Sequence, residues 1–242
     1  MIVYGRNPVR EALRGRRAAE VGEIWATPGA SREPWLAGQT VRTVSGEELE
    51  RRCGSSSHQG ICAEAGPYHY AGADELLARE SPLVVALDQI QDPQNLGAIC
   101  RTAECVGAAG VVIPERRAAE VTPAVCKASA GAVEHLPVAR VRNLADFLAD
   151  ARGAGCWCYG ASAEGAEGAE GRAAVDYGSV DYGGAGVVLV LGSEGRGLRP
   201  RVANACDELI ALPLLGRVES LSVSSAAAAL LYEILQIRGR KA

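Results

Sequence analysis

The stretch LVLGSEGRGL, residues 189–198, joins an apolar run to a glycine-rich loop, and it decides the fold class that the sequence predicts. A run without charge at 186–191 is typical of a strand that is buried on both faces of a parallel sheet. Five further, largely apolar runs resemble it, at residues 83–87, 110–113, 137–141, 156–159 and 209–212. Helical patterns separate most of these runs, at residues 96–106, 123–130 and 144–152. This alternation predicts a doubly wound α/β domain over residues 83–242.

A smaller α/β unit precedes this domain. Its predicted strands are residues 2–4, 21–25, 41–44 and 61–64. Asn7 followed by Pro8 predicts an N-cap and the first position of a helix that runs through Leu13. Ser45-Gly46-Glu47-Glu48 fits a capping box, which predicts a second helix there. Residues 66–73 (GPYHYAGA) have a linker composition, so we expect an N-terminal domain at 1–66, a linker at 67–82 and a main domain at 83–242.

Composition narrows the function classes. The 242 residues carry 25 Lys and Arg against 29 Asp and Glu, which excludes a uniformly basic nucleic-acid coat but allows a local basic face. No apolar run is long enough to span a bilayer and the N-terminus has no signal-peptide pattern, so a cytoplasmic protein without membrane contact is expected. The eight cysteines form no CxxC pair and the three histidines do not cluster with them, which favours free thiols over a metal site.

Two further segments interrupt the regular alternation of predicted strands and helices. Residues 163–171 (AEGAEGAEG) form an acidic repeat that is expected to be an exposed, mobile loop without chemistry. Residues 224–238 predict a C-terminal helix with a broad apolar face, which must pack on the sheet or on a partner subunit.

Three clusters of polar residues follow predicted strands. The loop at 192–197 matches neither GxxxxGK[ST] nor GxGxxG, and its Glu194 would repel a phosphate, so a tight turn and a ligand site remain equally open. Residues 92–103 (DPQNLGAICRTA) follow the run at 83–87, and there Asn95 could simply cap a helix that starts at Leu96. Residues 212–224 join the last strand to the last helix, and each serine in them is more often a cap than a catalyst.

Taken together, these motifs resemble the SpoU (TrmH-like) family of RNA 2′-O-ribose methyltransferases. The resemblance rests on NLGAICRTA (95–103), LVLGSEGRGL (189–198) and LPLLGRVESLSVSSAAAALLYE (212–233). KASAGAVEHLPVARV (127–141) is similar to the rRNA branch of the family. IVYGRNPVREAL (2–13) and HQGI (58–61) are similar to its small, ribosomal-protein-like substrate-binding domain.

The resemblance implies a SPOUT-like fold, with a parallel-sheet catalytic domain whose C-terminal segment is threaded into a trefoil knot. It also implies S-adenosyl-L-methionine as cofactor, RNA as substrate (a guanosine of 23S rRNA in this branch), and a homodimer with the active site at the subunit interface. The matching cofactor-contact positions are Leu191, Gly192, Gly197, Leu212 and Leu221.

The same resemblance gives the expected catalytic set: Asn95, Arg101, Glu194, Ser220 and Ser222. Because an arginine is a poor base at neutral pH, we expect Arg101 to bind an RNA phosphate, with the phosphate or a water accepting the proton. Asn95 would orient the ribose or Arg101, Glu194 would hold both by hydrogen bonds, and Ser220 would line the site.

Ser222 stands where the family motif SLNVS has asparagine, so a contact that helps to position substrate or cofactor is expected to be weaker. One alternative is therefore an RNA-binding ribosome-assembly factor with weak or lost catalysis. A tRNA or antibiotic-resistance 2′-O-methyltransferase of the same family is another. A nucleotide-binding Rossmann enzyme is disfavoured because the fingerprint loop is missing.

Overall fold

The computed structural model describes residues 1–162, 173–218 and 220–239, and the acidic repeat at 163–171 lies outside them. The N-terminal unit contains four strands in the order β1-β4-β2-β3, in which only the pair β2/β3 is parallel. Their bounds are β1 Ile2–Tyr4, β2 Val21–Ala26, β3 Val41–Thr43 and β4 Ile61–Ala65. Two helices accompany them, α1 (Arg6–Ala12) and α2 (Gly46–Cys53).

The start of α2 is confirmed and the start of α1 is corrected. The Ser45 hydroxyl accepts a hydrogen bond from the backbone N–H of Glu48, as the capping-box pattern predicts. The predicted cap at Asn7 is wrong, because α1 begins at Arg6 with Gly5 before it. Gly5 has a φ of 99°, which turns the chain directly from β1 into the helix. Pro8 is tolerated as the third helical residue because first-turn N–H groups have no intrahelical acceptor.

The second unit is built on a seven-stranded sheet in the order β7-β6-β5-β10-β8-β11-β9, and every adjacent pair is parallel. The predicted parallel-sheet α/β class is therefore confirmed. The strands are β5 Leu83–Asp88, β6 Gly110–Pro114, β7 Val138–Val141, β8 Cys156–Ser162, β9 Val175–Asp176, β10 Gly186–Gly192 and β11 Glu208–Ala211.

Helices cover both faces of this sheet, which is why its central strands β5 and β10 are apolar at almost every position. One face packs against α4, α5 and α8, and the other against α3, α6 and α7. Their bounds are α3 Ala73–Leu77, α4 Pro93–Cys105, α5 Pro123–Ala128, α6 Leu144–Gly153, α7 Pro200–Ala205 and α8 Val223–Gly239. None of the described helices is long and apolar enough to cross a bilayer.

The strand order reverses direction between β5 and β10. The chain runs outward from β5 through β6 to β7, continues with β8 on the far side, and then places β10 between β5 and β8. In open α/β sheets, ligands bind beyond the carboxyl ends of the strands at such a switch point. The C-terminal helix α8 then packs on α4 and β10. The trefoil knot itself stays a prediction.

The two units share one packed seam. Arg17 of the N-terminal unit and Glu134 of the second unit are 2% and 1% exposed. Two guanidinium nitrogens of Arg17 donate to the two carboxylate oxygens of Glu134, at 3.0 and 2.5 Å. The intervening segment is packed too, since the Tyr68 hydroxyl donates to the carbonyl of Val133 and the Tyr70 hydroxyl accepts from the N–H of Val121.

Candidate active site at the carboxyl edge of the parallel sheet

The loops that follow β5 and β10 are tied together at the switch point. Asp88 ends β5 opposite Gly192 of β10, and its carboxylate is buried. It accepts hydrogen bonds from the backbone N–H of Arg199 at 2.9 Å and from its Nε at 2.8 Å, and it forms an ion pair with Nη2 at 2.7 Å. The glycine-rich loop is therefore anchored at its far end to β5. Neither residue of this pair is among the predicted site residues, although a carboxylate directly after the apolar run at 83–87 was an available signal.

The glycine-rich loop at 192–197 is a tight turn, which is one of the two interpretations that its sequence left open. Ser193 and Gly197 exchange backbone hydrogen bonds of 3.1 and 2.9 Å, and Gly195 and Gly197 have φ angles of 78° and 64°. A Cβ on Gly192 would lie 2.2 Å from the carbonyl carbon of Gly197. The turn therefore favours glycine at 195 and 197 through their φ angles and requires it at 192 through close packing, and it presents Glu194 at its tip.

Glu194 joins the three motifs. Its Oε1 accepts a hydrogen bond from Asn95 Nδ2 at 3.2 Å and one from the backbone N–H of Val223 at 3.3 Å. Asn95 belongs to α4, and Val223 is the first residue of α8. A single carboxylate therefore holds together the starts of two helices from the first and third motifs.

Asn95 is free for this contact because it does not cap its helix. The predicted helix start at Leu96 is wrong, since α4 begins at Pro93 and Asp92 accepts the capping bond from the N–H of Gln94 at 2.9 Å. An aspartate followed by proline at the first helical position is a strong start signal, and it lies three residues earlier than the predicted cap.

Ser222 takes the capping position before α8. Its hydroxyl accepts from the backbone N–H of Ser225 at 3.2 Å and contacts the hydroxyls of Ser224 and Ser225. Serine and asparagine are similarly good N-caps, so this contact is available to either residue. In the structure the departure from the family motif therefore preserves the geometry that positions Val223 under Glu194.

Arg101 and Ser220 are not drawn into this cluster. Six residues separate Arg101 from Asn95 on α4, which is about 240° around the helix. Arg101 is exposed and, within the described ranges, makes no hydrogen bond or ion pair. Ser220 is an exposed residue of the loop that precedes α8. The structure thus joins Asn95, Glu194 and Ser222 and leaves Arg101 and Ser220 on the open surface.

The loop between β11 and α8 exposes several apolar side chains. Leu221 is 47% exposed, Val218 74% and Leu215 97%, which is unusual for such side chains in one short segment. Of the predicted cofactor-contact positions, Gly192 ends β10, Gly197 closes the tight turn and Leu212 follows β11, so all three lie at the carboxyl edge of the sheet where they would hold the cofactor. Leu191 is buried in the core at 1% exposure, so it would contribute through its backbone.

Comparison with known proteins shows which family the chain resembles over its whole length. Residues 82–232 match the model of the SpoU rRNA Methylase family, and residues 2–71 match the model of an RNA 2′-O ribose methyltransferase substrate-binding domain. A Bacillus subtilis (strain 168) protein assigned to the TrmH family of tRNA/rRNA methyltransferases is 39% identical over 249 residues, which cover 98% of this chain and 95% of that protein.

Two solved structures are informative. The AdoMet-bound rRNA methyltransferase from Sinorhizobium meliloti has a TM-score of 0.79 at 26% identity, covering 97% of this chain and 86% of that chain. A TrmH/SpoU tRNA-modifying enzyme from A. aeolicus has a TM-score of 0.58 at 27% identity, covering 70% of this chain and 82% of that chain.

Proposed function

The chain belongs to the SpoU methylase family of S-adenosylmethionine-dependent RNA methyltransferases, and from this premise we propose that it methylates the ribose 2′-hydroxyl of a guanosine in 23S rRNA. The contacts of Glu194 with Asn95 and Val223 support an active enzyme over a protein that has kept the fold and lost catalysis. The Glu194 carboxylate joins Asn95 to the first turn of α8, so all three motifs are assembled around one point.

Support for rRNA over tRNA comes from the N-terminal unit. The rRNA methyltransferase from Sinorhizobium meliloti matches nearly the whole chain, whereas the tRNA-modifying enzyme from A. aeolicus matches 70% of it. A substrate-binding domain docked rigidly beside the catalytic domain suits a large, folded RNA, because it adds a second contact at a fixed distance from the reacting ribose.

Each catalytic side chain has a role that follows from its chemistry. S-adenosylmethionine, when bound, would supply an electrophilic methyl group whose bond to the sulfonium sulfur breaks on transfer, so that a neutral thioether leaves. Arg101 is exposed and unpaired among the described residues, so its planar fork is available for a bidentate contact to an RNA phosphate. The 2′-hydroxyl gives up its proton as its oxygen is methylated, and the phosphate held by Arg101 or a water bound there accepts that proton. Asn95, fixed by Glu194, orients the ribose, and Ser220 lines the entrance.

The remaining assignments are part of the same proposal. The domains are an RNA substrate-binding domain at 1–66, a connecting segment at 67–82 and a knotted methyltransferase domain at 83–242. The enzyme acts in the cytoplasm as a homodimer, in which the partner subunit completes the active site. The exposed Tyr232 and Leu235 of α8 offer an apolar surface for that contact.

Mapping of ribose methylation in total rRNA and tRNA, from cells with and without the gene, tests this proposal. We expect one 2′-O-methylguanosine of 23S rRNA to disappear, to return with the wild-type gene, and to stay absent with Glu194→Ala. Loss of a tRNA methyl group instead would establish the tRNA alternative. Unchanged methylation in both RNAs, with cofactor and RNA bound in vitro, would replace the enzyme proposal by the assembly-factor alternative.

A further inference from the structure

A lysine of the catalytic domain reaches into the N-terminal unit. Lys127 lies on α5, and its side chain extends over Gly5, the residue that turns β1 into α1. A Cβ built on Gly5 would lie 2.5 Å from Lys127 Nζ and 3.1 Å from Gln59 Oε1. The ends of two polar side chains, one from each unit, therefore meet above the same glycine.

Among the described residues Lys127 has no ion-pair partner, whereas two arginines of the adjacent helix do. On the adjacent α1, Arg6 pairs with Glu33 at 2.8 Å and Arg10 pairs with Glu11 at 2.7 Å. Within the described ranges, no carboxylate lies within ion-pair distance of Lys127. Partial burial lowers the pKa of Lys127, and no opposite charge offsets this effect. A half-buried ammonium of this kind gains most from a mobile anion that arrives from outside.

Gln59 is held in an unusual conformation beside it. Its φ is 53°, a left-handed value that is rare for a residue with a side chain. Its side chain is anchored to α1, since Gln59 Oε1 accepts from the N–H of Arg6 at 3.1 Å, and the turn around it is closed by His58 Nδ1, which accepts from the N–H of Gly60 at 3.0 Å. With the oxygen engaged, the amide NH₂ of Gln59 remains as a donor. Such strain persists where a fixed side-chain direction has a use.

We propose that Lys127 and Gln59 together bind one phosphodiester group of the substrate RNA at the seam between the two units. Lysine supplies the charge, and the glutamine amide supplies a directed hydrogen bond, which are common contacts to backbone phosphate. The inference rests on the proposed function, because it needs an RNA that contacts both units.

The seam lies close enough to the candidate catalytic cluster for one RNA to contact both. Gly97 of α4 packs so closely on Ala128, the neighbour of Lys127, that a Cβ there would lie 2.4 Å from that of Ala128. Asn95 lies two residues before Gly97, in the first turn of the same helix. The seam site is therefore one helix away from the candidate catalytic cluster, and the two units are locked at a fixed separation by Arg17 and Glu134.

The test measures RNA affinity as a function of salt. Full-length wild-type protein, Lys127→Gln, Lys127→Arg and Gln59→Gly are titrated with a short fluorescein-labelled RNA hairpin by anisotropy. Arg201→Gln is the matched control, because it removes one positive charge from a side chain that is 75% exposed and paired with Asp146. Melting temperatures check that each variant is folded.

Loss of one phosphate contact has a defined signature. For Lys127→Gln, the plot of log association constant against log salt should be less steep than that of the wild type, by about 0.7–0.9 in slope magnitude. The affinity should therefore be about fivefold to eightfold lower at roughly 0.1 M salt and should converge with the wild type near 1 M. Lys127→Arg and Arg201→Gln should keep the wild-type slope. Gln59→Gly should keep the slope and the melting temperature, because glycine adopts this φ freely, yet bind about threefold to fivefold more weakly.

The outcomes separate this inference from the proposed function. An unchanged slope for Lys127→Gln, or the same change in Arg201→Gln, overturns the phosphate site even if methyl transfer to rRNA is intact. If Lys127→Gln lowers the melting temperature, the RNA affinity of Gln59→Gly becomes the deciding measurement. Wild-type RNA affinity in Gln59→Gly would then overturn the phosphate site. The binding measurement needs no methyl transfer, so a failed rRNA assignment leaves its result valid.

Discussion

Replacing Glu134 by glutamine should strongly destabilise the protein, because it leaves the buried guanidinium of Arg17 without its countercharge. Burial alone would lower the pKa of Arg17, but the hydrogen bonds and the charge of Glu134 outweigh it and raise that pKa. Arg17 also donates to the carbonyl of Gly66 at 2.7 Å and stacks over the Tyr68 ring at 5.5 Å. Removing one partner of a buried pair costs about 3–5 kcal/mol, which in a chain of this size lowers the melting temperature by about 6–20 °C.

Urea unfolding and thermal melts of Glu134→Gln measure this loss, with Asp146→Asn as the control. The Asp146–Arg201 pair is 66% and 75% exposed, so its loss should change the free energy of unfolding by about 0–1 kcal/mol. The double variant Arg17→Met/Glu134→Leu should recover most of the stability, since apolar side chains replace a buried ion pair at little cost. A loss in Glu134→Gln no larger than in the control would refute the reasoning that this seam is locked by charge.

Four further outcomes are expected. Glu194→Gln should slow single-turnover methylation about tenfold, because the hydrogen bonds that the charged carboxylate accepts from Asn95 and Val223 stabilise the site by roughly 1–2 kcal/mol. An unchanged rate would remove Glu194 from the site. Arg101→Ala and Arg101→Lys should both abolish methyl transfer while calorimetry still detects S-adenosylmethionine binding, and lost cofactor binding would contradict the phosphate role. Ser222→Asn should stay within about twofold of the wild-type rate, since either residue caps α8, and a large rise would show that serine is a defect. Leu235→Glu should produce monomers in light scattering if α8 forms the dimer contact, and an unaffected dimer would place the interface elsewhere.

Much of the architecture could be predicted from local patterns. The strands at 83–88 and 186–192 are apolar at almost every position, because a central parallel strand is buried on both faces, and this signal needs no knowledge of neighbours. The Ser45 cap was likewise predictable, and the tight turn at 192–197 was one of the two interpretations that the sequence left open, since both depend on bonds between residues a few positions apart. Where two local signals compete, the prediction failed: Asp92-Pro93 took the helix start that had been assigned to Asn95.

What the tertiary structure alone decided is which distant side chains meet. Asn95 and Glu194 are 99 positions apart, Asp88 and Arg199 are 111 apart, and Arg17 and Glu134 are 117 apart. The first two of these contacts exist because β10 inserts between β5 and β8, which brings the loops after β5 and β10 side by side. The third exists because the N-terminal unit docks on the segment after α5. The apolar pattern of a strand is the same whichever strand lies beside it, so strand order and docking, and with them the candidate site, became visible only in the folded chain.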